Sequence, residues 1–302
     1  MIGHGSTFFI RKESKTMRRF LAVLMAAAMV FVFAACGGGN NNNNASDIPG
    51  LEDGVFTVGM ECAYAPYNWA QTDDSNGAVP IKDSLLYANG YDVMTAKAIC
   101  EANGWKLEVV QLDWDSLVPA VQSGILDAAI AGQSMTADRA EEVDFAGPYL
   151  YASIVCLAKK DSAYANAKGL ADLSGGTCTS QISTIWYKNC LPQINGAVIK
   201  EAMDTAPAML MALESGAVDF VCTDMPTAQG AVIAYPDFVI LDFSGSDDNF
   251  VVSEEEINIG VSVKKGNTAL REAIDSYLGD LTEADFNKVM AEAVKVQPLS
   301  EE

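Results

Sequence analysis

The chain has 302 residues, half of them hydrophobic, and carries 19 Lys and Arg against 40 Asp and Glu, a formal net charge of −21. That length exceeds one ordinary core and suits about two domains, each with enough apolar residues to bury a core of its own. So acidic a chain is excluded as a nucleic-acid binder, because it would repel phosphates rather than neutralise them.

The first element in chain order is a leader. Met17-Arg18-Arg19 precedes an almost wholly apolar run from Phe20 to Ala35, ending at Ala34-Ala35-Cys36-Gly37, the layout of a charged n-region, an h-region and a small-residue cleavage site. A cysteine directly after the small pair resembles the lipobox of bacterial lipoproteins. That likeness implies that Cys36 is acylated, becomes the first mature residue and anchors the chain to the lipid bilayer, although Phe33 departs from the usual leucine. The competing reading, a membrane-spanning helix, asks for a somewhat longer apolar run. Met1 to Thr16 shows no apolar period and sits upstream of a signal complete from Met17, so residues 1–36 are read as an over-long start followed by a signal peptide. Residues 37–50, rich in Gly and Asn, are a flexible polar tether.

Setting the leader aside removes five basic residues (Arg11, Lys12, Lys15, Arg18, Arg19) and one acid (Glu13), leaving 14 basic against 39 acidic residues, a net −25. It also removes His4, the only histidine, so the remainder uses no imidazole for catalysis, metal binding or pH sensing. Beyond Cys36, the cysteines Cys62, Cys100, Cys156, Cys178, Cys190 and Cys222 form no C-x-x-C pair. Neither a zinc site nor a thioredoxin-like motif is indicated, and the thiols read as small buried hydrophobes, with an occasional disulfide left open. No metal and no cofactor is expected.

In the body of the chain, Val55 to Met60 alternates as a strand, and Glu61 to Tyr67 follows as a loop with an acid and aromatics at its mouth. Gln71 to Asn89 is polar and reads as an irregular excursion. A helix spans Tyr91 to Ala102 and stops at Asn103-Gly104; Lys106 to Val110 is a strand; a helix from Ser116 to Ser123 stops at Gly124. Ala128 to Ala131 is a buried strand that hands over to Gly132 and Ser134. This β, α, β, α, β order predicts a parallel sheet whose ligand groups gather at the carboxyl ends of its strands.

Thr136 is placed as the N-cap of a short helix carrying Arg139, whose planar guanidinium can grip a carboxylate through two parallel hydrogen bonds; pairing with Asp138 or Glu142 on a solvated face competes evenly with this. A second unit begins with the strand Ser153 to Ala158. Val121 to Ala128 recurs in form as Leu213 to Phe220, each a helix end, a glycine, an aspartate and an entering strand, so the two units repeat one plan. In the second copy the strand Phe220 to Cys222 delivers Asp224, either a ligand group or the cap of the helix starting near Pro226. A strand at Thr177 to Ser180 leads into the polar turn Gln181 to Thr184 and a helix through Tyr187, whose start offers backbone N–H groups to an anion. Ile257 to Val263 is a late strand, followed by helices near Thr268 to Leu278 and Thr282 to Val294.

From Val55 to about Val294 the chain resembles the family 3 extracellular solute-binding proteins, the polar amino-acid receptors of ABC importers. The segments that carry the likeness are Gly59 to Tyr67, Gly90-Tyr91-Asp92, Trp114 to Pro119, Gly124 to Asp127, Ala131 to Arg139 with Val143-Asp144-Phe145 and Pro148-Tyr149, and Val218 to Asp224. The resemblance implies an α/β, two-lobed, type II periplasmic-binding-protein-like fold, a venus-flytrap with two hinge crossings. Lobe 1 would comprise residues 51–150 and 256–302, and lobe 2 residues 151–255. By position it makes Arg139 the carboxylate clamp, Ser134 and the Gly132 backbone partners of the α-carboxylate and α-ammonium, and Asp224 the ammonium's counter-charge. Tyr64 and Trp114 would sandwich the ligand side chain, while Ser183, Thr184 and the Ile185 amide would reach the carboxylate from lobe 2. Ser183 stands where glycine is common, Ile185 where a hydroxyl is common, and Gln133 where an apolar residue is usual and a further polar contact is gained.

The implied protein is a lipid-anchored, extracytoplasmic monomer without catalytic residues, which takes a free amino acid and delivers it to ABC permease subunits. Glu61 is the residue expected to select the side chain, with lysine, arginine or ornithine leading and glutamine or another polar neutral amino acid next. Two alternatives stand beside it: a same-fold lyase resembling cyclohexadienyl dehydratase, with Glu61 as its acid, and a sensor input domain, against which no kinase or transmembrane segment follows Glu302.

Overall fold

The computed structural model describes residues 47–298. The signal peptide, Cys36 and residues 37–46 of the tether lie outside the described residues.

Two five-stranded mixed sheets, one in each lobe, carry the fold. In the first, the strands stand in the order Lys106–Gln111, Val55–Met60, Ala128–Ala129, Asn258–Lys264, Val143–Tyr151. The first three are parallel, and Asn258–Lys264 is antiparallel to both of its neighbours. The second has the order Val198–Ile199, Thr177–Thr179, Phe220–Asp224, Ile154–Lys159, Phe238–Leu241, again with three parallel strands and an inverted fourth, Ile154–Lys159. The expected parallel sheet is thus realised in three strands of each. The fourth is inverted because each sheet receives it from chain arriving out of the other sheet.

The internal repeat is structural. Gly124 and Gly216, with φ of +78° and +73°, end the helices Leu117–Ser123 and Ala206–Glu214 in the left-handed conformation that favours glycine. Three residues after each glycine, an aspartate ties the entering strand to its neighbour. Asp127 accepts the Thr57 N–H at 2.8 Å and Asp219 accepts the Thr177 N–H at 2.7 Å. The chain passes from one sheet to the other after Tyr151 and returns before Asn258. These crossings lie side by side, since Asn258 pairs with Tyr151 and Ala152 donates its N–H to Ile257 at 2.8 Å.

Three segments differ from their sequence reading. The excursion is not irregular: Ala63–Tyr64, Asn68–Gln71, Tyr87–Asn89 and Val79–Pro80 form a small antiparallel sheet, moored to the first sheet where Ile81 bridges to Val109. Its strands have two to four residues, too few for an alternation to show. The nine-residue strand Val143–Tyr151 was not expected, because Gly147-Pro148 breaks its pattern. After the polar turn, the helix expected through Tyr187 is a π-helical turn over Trp186–Cys190. The helix Tyr91–Asn103 ends at Gly104 as read, and Thr268–Leu278 matches its expected span.

Candidate functional site

The residues singled out in the sequence converge where the carboxyl ends of the parallel strands of both sheets face each other. Glu61 follows Val55–Met60, Gly132 and Ser134 follow Ala128–Ala129, Gln181 follows Thr177–Thr179, and Asp224 ends Phe220–Asp224. Tyr64, Trp114, Gly132, Ser134, Arg139, Gln181, Thr184, Ile185 and Trp186 line a narrow cleft whose walls stand close together.

Arg139 stands at its centre. Thr136 caps its helix by accepting the Arg139 N–H at 3.4 Å. The guanidinium donates to the Ser134 carbonyl at 2.9 Å and, across the cleft, to the Ser183 carbonyl at 3.1 Å, while its carbon lies 5.3 Å from the centroid of the Trp114 ring. Among the described residues no carboxylate lies within 4.0 Å of it, so the surface pairing with Asp138 or Glu142 does not occur. Burial pulls the guanidinium down to about 10, with the charge of Asp115 acting against the shift. Ser183 reaches its position with φ of +56°, a conformation more natural to the glycine common there.

Asp224 is the helix cap that its sequence position allowed, and its second oxygen is turned toward the opposite lobe. One carboxylate oxygen accepts the Thr227 N–H at 2.9 Å and so caps the helix Met225–Ala234. The other accepts the hydroxyls of Tyr64 and Tyr67, from the opposite side of the cleft, at 2.8 and 2.9 Å. Burial raises its pKa, opposed by these same hydrogen bonds. The Tyr64 ring stacks on Tyr67 at 4.6 Å and tilts against Trp186 at 6.1 Å. Tyr64 and Trp114 each therefore have a protein partner of their own, Tyr67 for one and the guanidinium of Arg139 for the other.

Glu61 is 6% exposed, and both of its carboxylate oxygens accept from the Gln181 side-chain amide of the other lobe at 3.2 Å. Burial pushes its pKa up to about 7; the Gln181 bond opposes this, and the negative charges of Asp113 and Asp115 add to it. Thr184 turns its hydroxyl back to the Gln181 carbonyl at 2.7 Å, and Ile185 contributes apolar wall. Gln133 is not brought to the cleft. Its side chain is buried, where its oxygen accepts, at 2.9 Å, the hydroxyl of Ser262 on the strand Asn258–Lys264. Sequence reasoning missed Gln181 as a site residue, together with Tyr67 and Trp186. Gln181 was visible as part of the polar turn, but its partner lies 120 residues away.

Gly132, with φ of +65°, keeps its wall close. A Cβ there would lie 2.8 Å from Tyr64 Cε1, and its N–H donates to the Tyr149 hydroxyl at 3.0 Å. The cleft thus offers a cation with no carboxylate within 4.0 Å among the described residues, and around it stand the capped carboxylate of Asp224, bonded to Tyr64, and the acid Glu61, bonded to Gln181 and under the negative charge of Asp113 and Asp115. Its walls are aromatic.

Residues 56–292 match the family described as bacterial extracellular solute-binding proteins, family 3. A probable histidine-binding protein of Neisseria gonorrhoeae is 26% identical over 244 residues, which are 78% of this chain and 82% of that protein. Among solved structures, the amino acid ABC transporter substrate-binding protein AbpA of Streptococcus pneumoniae, bound to L-arginine, superposes with a TM-score of 0.67 at 26% identity, over 81% of this chain and 96% of that one. AncCDT-1, an ancestral amino acid-binding protein described as a precursor of cyclohexadienyl dehydratase, superposes with a TM-score of 0.65 at 26% identity, over 81% and 97%. The architecture is that of the type II periplasmic-binding proteins.

Proposed function

Because the chain belongs to the bacterial extracellular solute-binding proteins of family 3, we propose that it is the extracytoplasmic receptor of an ABC importer and closes its two lobes over a free α-amino acid. The observation that carries this reading is the Arg139 guanidinium: desolvated, backed by Trp114, fixed by two carbonyls and without a carboxylate partner among the described residues. A ligand α-carboxylate completes it. Asp224 then holds the α-ammonium in place of the two tyrosine hydroxyls, with Ser134, the Gly132 carbonyl and the turn Ser183-Thr184-Ile185 around the same end.

For the side chain, Glu61 with Asp113 and Asp115 behind it favours a cation, so lysine, arginine or ornithine is preferred over glutamine. Relatives named for histidine binding and a neighbour holding L-arginine agree with this. The hinge is placed at the paired crossings, with lobe 1 as residues 51–150 and 256–302 and lobe 2 as residues 151–255. Cys36 is proposed as the acylated anchor and residues 37–50 as the tether that lets the receptor, as a monomer, reach its permease.

Thermal-shift screening of the twenty amino acids and ornithine tests the reading. A basic amino acid should give the largest rise in Tm, and no response to any amino acid would overturn it. A second reading, a lyase on the same fold, draws on the neutral-range pKa of Glu61 and on the dehydratase precursor among the neighbours. Turnover of prephenate or arogenate would favour it.

A further inference from the structure

Behind the cleft, outside its lining, lies a carboxylate that the ligand reading does not use. Asp92 sits in the first turn of the helix Tyr91–Asn103, is 0% exposed, and has no Lys or Arg within salt-bridge distance among the described residues. A buried, unpaired carboxylate is costly unless hydrogen bonds satisfy it, and here two do so from opposite directions. One oxygen accepts the Tyr149 hydroxyl at 2.7 Å and the other the Asn68 amide at 2.7 Å.

Each arm ends on backbone of the cleft. The Tyr149 hydroxyl accepts the N–H of Gly132 at 3.0 Å, and Gly132 forms the wall against Tyr64. The Asn68 carbonyl oxygen accepts the N–H of Cys62 at 2.7 Å. Cys62 follows Glu61 directly and is held at φ of +55°, a strained conformation for a residue with a side chain. One carboxylate therefore fixes both the wall behind the ligand's main-chain end and the residue next to the side-chain selector. Only a carboxylate suits this place, since two donors converge on it and an amide would set its own N–H against one of them.

We propose that Asp92 is a positioning residue for ligand binding, acting through Tyr149 on Gly132 and through Asn68 on Cys62 and thereby on Glu61. The proposal rests on the ligand reading given above.

Calorimetric titration with L-arginine and with L-glutamine, combined with amide resonances of Gly132 and Cys62, tests it on the wild-type protein and on Asp92→Asn, Tyr149→Phe, the double variant and Arg139→Ala. Asp92→Asn should shift both amide resonances and raise Kd at least tenfold for whichever of the two the wild type binds. Tyr149→Phe should shift Gly132 alone and weaken binding several-fold. The double variant should bind no worse than Asp92→Asn, because both changes cut one chain of bonds. Should Asp92→Asn fail to fold, Tyr149→Phe decides. Wild-type affinity in the folded variants, additive losses, or lost affinity with both resonances unmoved would overturn the proposal while leaving the ligand reading intact if Arg139→Ala has lost binding. Should the wild type bind neither probe, the amino acid with the largest thermal shift replaces them; no response to any amino acid, or full affinity in Arg139→Ala, would overturn that reading and this proposal with it.

Discussion

Arg139→Ala separates binding from folding, and the geometry sets both magnitudes. In the ligand-free chain the guanidinium donates to two carbonyls, at 2.9 and 3.1 Å. Hydrogen bonds from a charged group contribute about 1.5–3 kcal/mol each. Against them stands the desolvation that pulls the group well below its ordinary value, to about 10, a penalty of about 3 kcal/mol on the charged form. The opposing contributions are of similar size, so truncation changes ligand-free stability by no more than about 3 kcal/mol, which moves the Tm of a chain this long by several degrees. Binding has no such compensation. Leaving a ligand carboxylate desolvated without its cation costs about 2–5 kcal/mol, which raises Kd by about 30-fold to several thousand-fold. Calorimetry on the variant, beside its ligand-free melting curve, checks both. Near wild-type affinity would refute the clamp assignment, and a Tm fall large enough to account for lost binding would refute the claim that Arg139 serves the ligand rather than the fold.

The Glu61 carboxyl titrates at about 7 in the folded chain against an ordinary 4.5. Its contribution to stability is therefore full below about pH 4.5 and lost as pH rises through about 7, a loss of about 3 kcal/mol that Glu61→Gln removes. Melting curves of both ligand-free proteins from pH 4 to 8 that stay parallel would contradict this. Cys36→Ser should leave the protein in the soluble fraction without acyl mass, whereas a wild-type membrane form that retains an intact Phe33 to Gly37 peptide would end the anchor proposal.

Elements whose two ends were punctuated were legible from sequence. The helix Tyr91–Asn103 was bounded by its glycines, and the repeat announced itself because an aspartate must tie each entering strand to the one beside it. The strand Val143–Tyr151 was hidden by Gly147-Pro148, and the small sheet by strands of two to four residues whose order comes from pairing rather than pattern. At the site, Arg139 on the short capped helix after an apolar strand and Asp224 at the end of another were legible by residue type. The Gln181 amide against Glu61 was not, nor the hydroxyls of Tyr64 and Tyr67 on Asp224. Those contacts span 120 to 160 residues and exist only because two lobes come together. Gln133 was misplaced because its side chain is taken up by the Ser262 hydroxyl, a partner 129 residues away.

All six cysteines of the described chain are buried and unpaired, and burial pushes Cys62, Cys100 and Cys178 up to about 12 and Cys222 well above its ordinary value. The thiolate is the reactive form, so at these four positions the folded protein presents almost none of it at neutral pH. In an oxidising compartment the danger is therefore confined to the moments before the chain collapses, when every thiol is in water and every pairing is wrong. Folding and oxidation run as competitors in time, and the winner is decided once per molecule. The native protein afterwards needs no reductant to keep its sulfurs as they are.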